Sequence, residues 1–295
     1  MSNQPLVSVI MNCHNGEKYL REAINSVYAQ TYKNWEIVFW DNVSTDHSAK
    51  IAQAYDKKLK YFRGENLIKL YAARRLAVEK ASGKYLAFLD VDDWWEKQKL
   101  EIQLQEIRST NAQFIYSDYF LINEKKKTKK LIIANRLNNK KVEHLFKRYT
   151  VGLLSILITR SAYEAVGGFD ENYHIIGDID LVAKITARYA FRCIAKPLCN
   201  YRWHGENESS AKNLQLQIKE SERMYILCKK SQLVSKKGLQ YLKNDIEYNK
   251  VSLALSGKRR SASISHLMLI RDVQMFIKSF IKILLPNSLI NIIKQ

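Results

Sequence analysis

Glycine-rich phosphate cradles are missing from this chain. The loop after its first apolar run, Asn12-Cys13-His14-Asn15-Gly16, holds one glycine, and neither G-x-G-x-x-G nor G-x-x-x-x-G-K-[ST] follows it. That leaves the dinucleotide-binding and P-loop readings with little support, so a phosphate would be held through a metal instead. Cysteine is sparse as well. Cys13, Cys193, Cys199 and Cys228 stand far apart with no C-x-x-C pair, which fits reduced cytosolic thiols better than a disulfide framework or a zinc site. No run approaches the roughly 20 apolar residues of a spanning helix. Met1-Ser2-Asn3-Gln4-Pro5 lacks the basic start and apolar core of a secretory leader. A cytoplasmic protein is expected.

Positive charge is what the chain has in excess. Its net charge is +19 over 295 residues, which implies an anionic partner: nucleic acid, anionic lipid or a phosphorylated substrate. A hydrophobic content of 46% with 11% aromatics predicts a folded core.

Strands and helices alternate along the first 110 residues. Val7–Met11 reads as a strand, and Lys18 to Gln30 as a helix with Leu20, Ala23, Ile24 and Val27 on one face. Trp35–Trp40 is the second strand and ends on Asp41; Ser44 or Thr45 then caps a helix reaching Tyr55. A strand over Leu59–Phe62, a helix from Lys69 to Ala81 closed by Gly83, a strand ending at Asp90 and a helix from Trp95 to Arg108 follow. Crossover units of this kind predict a largely parallel sheet, with ligands beyond the carboxyl ends of its strands. Asn12, Asp41 and Asp90 share that address. Phe114–Asn123 and Ser155–Thr159 are further strands, with Lys125–Lys130 read as a charged turn. Asp178 opens a helix to Arg188. Beyond residue 210 the chain becomes basic and helical with almost no proline or glycine, so a domain boundary is placed there.

The sharpest feature is Ala87-Phe88-Leu89-Asp90-Val91-Asp92-Asp93, an apolar run that stops on three carboxylates within four residues. Like charges so close repel by about 1 kcal/mol per pair at 4 Å even in bulk water. A divalent cation carrying a phosphate would relieve them. An acidic turn after a strand is the competing reading.

In their order, these motifs resemble the family 2 inverting glycosyltransferases of the GT-A fold. "VSVIMNCHNGEKYLREAINSVYAQTY" is similar to that family's opening, "EIVFWDNVSTDHS" to its second strand, and "LAFLDVDDWWEKQKL" to its metal-binding segment. "VGGFDENYHIIGDIDL" resembles the segment with the catalytic base, and "YRWHGENESS" the closing Tyr-Arg-x-His loop. The resemblance implies an α/β, Rossmann-like catalytic domain over 1–210, with a mostly parallel central sheet flanked by helices, and a helical extension over 211–295. It implies a Mn²⁺- or Mg²⁺-dependent transferase moving a sugar from a nucleoside-diphosphate sugar to a saccharide or polyprenyl-diphosphate-linked acceptor in surface-polysaccharide synthesis (O-antigen, capsule or lipooligosaccharide).

Residue by residue, the resemblance makes Asp178 the general base and Asp92 a metal ligand. Asp90 stands near ribose or metal, and Asp93 is a further carboxylate or a cap of the next helix. His204 matches a histidine that completes the metal shell in some relatives, or is an ordinary loop histidine. Asp41, with Asn12 and Asn42, is placed at the nucleoside, and Arg74 near the nucleotide or on a solvated helix face. Asp180, two residues beyond Asp178 and roughly 200° around a helix, points elsewhere.

Three departures stand out. The family's usual Asp-Asp-Gly-Ser turn is Asp41-Asn42-Val43-Ser44; Gly177 replaces a glutamate before Asp178; and Leu67-Ile68 stand where relatives carry a glycine.

The tail sets Phe276, Ile277, Phe280, Ile281, Leu284 and Leu285 against Lys278 and Lys282, after Lys258-Arg259-Arg260. That pattern predicts an in-plane helix at the anionic inner face of a membrane, or a face packed on protein. A nucleic-acid partner is not expected, because carboxylates at strand ends repel phosphates. A non-catalytic glycan- or nucleotide-binding protein keeping the fold is the alternative to an enzyme.

Overall fold

The computed structural model describes residues 4–136, 143–147, 149–205, 207, 211–257 and 260–284. The chain divides into two compact units, Met1–Lys141 with Arg148–Asn207, and Val142–Lys147 with Glu208–Gln295.

The first unit is built on one sheet. Strands β1 (Val7–Cys13), β2 (Trp35–Asp41), β3 (Leu59–Arg63) and β4 (Tyr85–Phe88) are joined by helices α1 (Glu17–Tyr28), α2 (Ser48–Gln53) and α3 (Leu70–Glu79). All pairings among these four strands are parallel, in the order β3-β2-β1-β4. Every residue of β1, β2 and β4 is buried, because helices or loops cover both faces. This explains why these strands read as continuous apolar runs rather than alternating ones.

Beyond β4 the sheet turns mixed. It includes β5 (Trp94–Trp95), β6 (Phe114–Asn123) and its hairpin partner β7 (Thr128–Ile132), then β8 (Leu157–Thr159) and β9 (Phe191–Trp203). The order continues β4-β8-β6-β9-β5, with β8 antiparallel to both neighbours and β9 parallel to β6. Helix α4 (Lys99–Thr110) precedes β6, α6 (Arg160–Ala165) follows β8, and α7 (Gly177–Arg188) precedes β9.

Four local expectations shift. Neither Ser44 nor Thr45 caps α2: the Ser44 hydroxyl accepts the Asn15 N–H at 3.0 Å, and His47 precedes the helix. Gly83 closes no helix, since α3 ends at Glu79 with Lys80 in ordinary right-handed geometry. A Cβ there would lie 2.6 Å from the Ser8 backbone nitrogen, so the glycine is required by close approach to β1. Helix α4 starts at Lys99, not Trp95, because Trp94 and Trp95 pair with Asn200 and Cys199 of β9. The lysine run is only partly a turn, and its second half forms β7.

The second unit holds α5 (Glu143–Lys147), α8 (Leu214–Ser231), α9 (Lys236–Ser256), α10 (Arg260–Leu267) and α11 (Val273–Leu284). Val251, Leu267, Ile270 and Ile283 form its buried cluster, with Met275 and Phe276 packed against it. Helix α11 is thus held by Phe276 and Ile283, while Val273, Ile277, Phe280 and Ile281 stay exposed. Lys282 turns inward, with Nζ donating to the Tyr248 hydroxyl at 2.7 Å. Lys258, Arg259, Leu285, Pro286 and residues 208–210 lie outside the described residues. Among the described residues, no helix is long and apolar enough to cross a membrane.

Candidate active site

Three clusters of polar side chains stand beyond the carboxyl ends of the parallel strands. At the end of β2, Asp41 is fully buried and accepts three donors. Its Oδ1 takes the Ser44 N–H at 2.7 Å, and its Oδ2 takes the Tyr61 hydroxyl at 2.6 Å and Arg63 at 2.5 Å. Asn42 uses both halves of its amide on one backbone position. Nδ2 donates to the Ile68 carbonyl at 2.9 Å, and Oδ1 accepts the Ile68 N–H at 3.3 Å. An aspartate cannot make the first of these bonds. Asn42 is therefore a clip that fastens the loop before α3 through the backbone of position 68. Asn12 of β1 is 7% exposed, and neither polar atom of its side chain has a protein partner. A buried amide in this state has both its donor and its acceptor unused by the protein.

The second cluster is the acidic stop after β4. The Asp92 Oδ2 faces His204 Nε2 at 2.9 Å and accepts from Asn207 Nδ2 at 3.3 Å. Burial, then the neighbouring Asp90 charge, push the Asp92 carboxyl above its ordinary range, with His204 pulling the other way. Asp93 is 1% exposed and lies further above that range, first from burial and then from Asp92 and Asp90. It does not cap α4. Its Oδ1 accepts the Arg202 N–H at 2.8 Å, and its Oδ2 is buried without a hydrogen-bond partner. Asp90 is ion-paired with Arg74, which is only 3% exposed and so is not on a solvated helix face. Among the described residues, no three His, Cys, Asp or Glu side chains converge as a ready metal cage.

Arg202, the arginine of the closing Tyr-Arg-x-His motif, was given no role in the sequence reading, yet it holds this loop. Its Nε donates to the Asp92 carbonyl at 2.8 Å, and its guanidinium pairs with Glu22 and Glu124. The same group lies between the Tyr19 and Trp94 rings, 4.4 and 4.5 Å from their centroids.

The third cluster surrounds Asp178, in the first turn of α7. The Tyr71 hydroxyl donates to its Oδ1 at 3.0 Å and the Tyr149 hydroxyl to its Oδ2 at 3.2 Å. Burial raises the Asp178 carboxyl above its ordinary range, and Tyr71, Arg74 and Tyr149 counteract that rise. Asp180 is bound instead by Lys184 at 2.6 Å, one helical turn on. Sequence reasoning missed Tyr71 and Tyr149. Tyr71 stands one turn before Arg74 on α3, a signal available to an i,i+3 reading; Tyr149 sits in irregular chain and offered none.

A sheet whose parallel half ends in an acidic loop beyond β4, with a half-buried carboxylate opening α7, is the arrangement of a GT-A type α/β protein. The chain belongs to glycosyl transferase family 2, whose profile matches residues 8–161. It is 34% identical over 157 residues to the Escherichia coli UDP-Glc:alpha-D-GlcNAc-diphosphoundecaprenol beta-1,3-glucosyltransferase WfgD. That match covers 53% of this chain and 61% of WfgD. In fold it is similar to S. aureus TarS 1-349 in complex with UDP-GlcNAc, with TM-score 0.61, 17% identity and 88% of each chain covered. It is also similar to the mannosyltransferase PcManGT from Pyrobaculum calidifontis in complex with GDP-Man and Mn2+, with TM-score 0.60 and 14% identity. That likeness covers 95% of this chain and 85% of PcManGT.

Proposed function

We propose that the chain is an inverting glycosyltransferase that moves a sugar from a nucleoside diphosphate to a glycan or lipid-linked acceptor in surface-polysaccharide synthesis. The observation that carries this reading is the pair of carboxylate centres, Asp92 with His204 and Asp178 with its tyrosines, on a sheet of this family. WfgD, by its name, transfers glucose from UDP-glucose to a diphosphoundecaprenol-linked sugar, so an acceptor of that class is the first to test.

Asp178 is the general base. Displacement from the face opposite the leaving group requires the acceptor hydroxyl to lose its proton, and a positioned carboxylate typically contributes about 10²- to 10⁴-fold. A carboxyl held above its ordinary range accepts that proton more readily than an exposed aspartate. Asn12, with an unsatisfied amide, and the clipped turn at Asp41-Asn42 bind the nucleoside. Arg74, buried against Asp90, places positive charge near the diphosphate.

Asp92, Asp90 and His204 would hold Mn²⁺ or Mg²⁺. The crowding of Asp92 against Asp90 and the oxygen donors they offer fit a hard cation. Such an ion would stabilise the negative charge that builds on the departing diphosphate.

The reading is tested by release of nucleoside diphosphate from UDP-glucose, UDP-GlcNAc and GDP-mannose with Mn²⁺ and with EDTA. One donor should turn over in a chelator-sensitive way. Asp92→Ala and Asp178→Asn should each reduce that turnover at least 100-fold while the fold survives. Retention of near-normal turnover by Asp178→Asn would remove the base assignment, and by Asp92→Ala the metal assignment.

Association with an anionic membrane surface is the second part of the proposal. Net charge of +19 and exposed Met268, Leu269, Val273, Ile277, Phe280 and Ile281 within a single stretch of the second unit support it. Such a position would bring a lipid-linked acceptor to a peripheral enzyme at the cytoplasmic face.

A further inference from the structure

We infer that Tyr71 and Tyr149 are positioning residues that clamp Asp178 from both sides, and that Gly177 exists to admit the Tyr71 ring. This rests on the assignment of Asp178 as base. Each hydroxyl donates to a different carboxylate oxygen, so the two bonds fix the rotation of the carboxylate plane and leave the second lone pair of each oxygen for the acceptor.

The Tyr71 ring is itself immobilised. It is 3% exposed, its centroid lies 5.1 Å from that of Phe169, and the Arg74 guanidinium stands over it at 4.7 Å. Phe169 is in turn fully buried and packed against Phe88 of β4 and against Tyr163. A Cβ at position 177 would fall 2.4 Å from the Tyr71 Cγ and 2.6 Å from its Cδ2. No side chain can occupy position 177 while this ring stays in place, so the glutamate expected there is incompatible with Tyr71 in this position.

The arrangement also ties two ends of the site together. Tyr71 and Arg74 are one turn apart on α3, the first bound to Asp178 and the second to Asp90. Helix α3 therefore sets the separation between the base and the carboxylate nearest the leaving group. The charged and titratable groups facing Asp178 are Tyr71 and Arg74 from α3 and Tyr149 from the chain before β8. Burial, followed by the Asp178 charge, holds both phenols well above their ordinary range, so both stay protonated and donate. A donor to the ionised form favours that form, and this opposes the burial that would otherwise neutralise the base.

The test is a ¹³C-carboxyl NMR titration of the aspartate-labelled full chain, with the Asp178 resonance assigned from Asp178→Asn. Tyr71→Phe and Tyr149→Phe keep the rings and remove only the donors. Each should shift the Asp178 titration to higher pH. In release of UDP from UDP-glucose with Mn²⁺, the acidic limb should move the same way, with about tenfold less turnover at its acid end, recovery at high pH, and KM within about twofold. Unshifted or downward-shifted titration in both folded phenylalanine variants overturns the inference. Because the NMR titration needs no turnover, that result is distinguishable from failure of the base assignment, which Asp178→Asn reads separately. Should Tyr71→Phe melt, Tyr149→Phe, at a half-buried position, still decides the outcome.

Discussion

At the scale of single residues, the turn after β2 carries visible strain. Val43 has φ +63°, a left-handed conformation that a β-branched side chain resists, and the family's usual residue at this position is glycine. Val43→Gly should therefore raise stability, by about 1 kcal/mol once the greater freedom of unfolded glycine is set against the relieved clash. A urea unfolding midpoint that stays put or falls would contradict the strain. Gly83 presents the opposite case, with a normal backbone and no room. Gly83→Ala pushes a methyl into the Ser8 amide and should cost about 1–3 kcal/mol by the same measurement. For catalysis the sign follows from Asp178. Its carboxyl is raised by burial, and as the proposed base it must be ionised to accept a proton, so turnover should fall as pH drops through a value above the usual carboxylate range, and Asp178→Asn should remove that limb with the activity.

At the scale of elements, the Asn42 clip makes a local forecast. Asn42→Asp retains the acceptor for the Ile68 N–H but sets a carboxylate against the Ile68 carbonyl, so one bond is lost and replaced by repulsion. Hydrogen exchange at residues 66–70 should quicken by about tenfold or more while the exchange of β1 and β2 is unchanged. Equal protection in the variant would mean the loop is held by other contacts. How much of the fold was legible in the sequence follows the same local physics. Strands β1, β2 and β4 announced themselves because both faces are covered, and short of their ends only Ser8 and Glu36, hydrogen-bonded to each other at 2.6 Å, interrupt the apolar runs. Strand β9 did not. Its 13 residues include Pro197, Arg192, Lys196 and Arg202, and its pairing with β6 slips at Ser117–Phe120, so no period of two survives. Within the candidate site, Asp41, Asp90 and Asp92 were conspicuous as acidic residues at or just beyond strand ends, whereas Asp178, in the first turn of α7, was singled out by the family resemblance alone. The ion pairs of Arg202 and the bonds of Tyr71 and Tyr149 to Asp178 were not legible, since their partners lie far away in sequence and composition carries no trace of such contacts.

For the molecule as a whole, the charge and the exposed apolar side chains make a joint prediction. The full chain should co-sediment with vesicles of anionic phospholipid and not with neutral ones, and added salt should weaken the binding. Ile277→Ser with Phe280→Ser should reduce that binding by at least tenfold and leave nucleotide-sugar turnover unchanged. Equal sedimentation of the variant would assign this face to a protein partner. The path of the chain has a consequence of another kind. Helix α5 lies between two stretches of the first unit in sequence, yet it packs on α9, with Leu145 and Phe146 buried. The polypeptide thus threads out and back before it leaves for good. Cutting after Asn207 would strand those two apolar side chains in water. Any swap of the C-terminal helices between relatives must transplant α5 along with the tail, or Leu145 and Phe146 lose the helix they pack on.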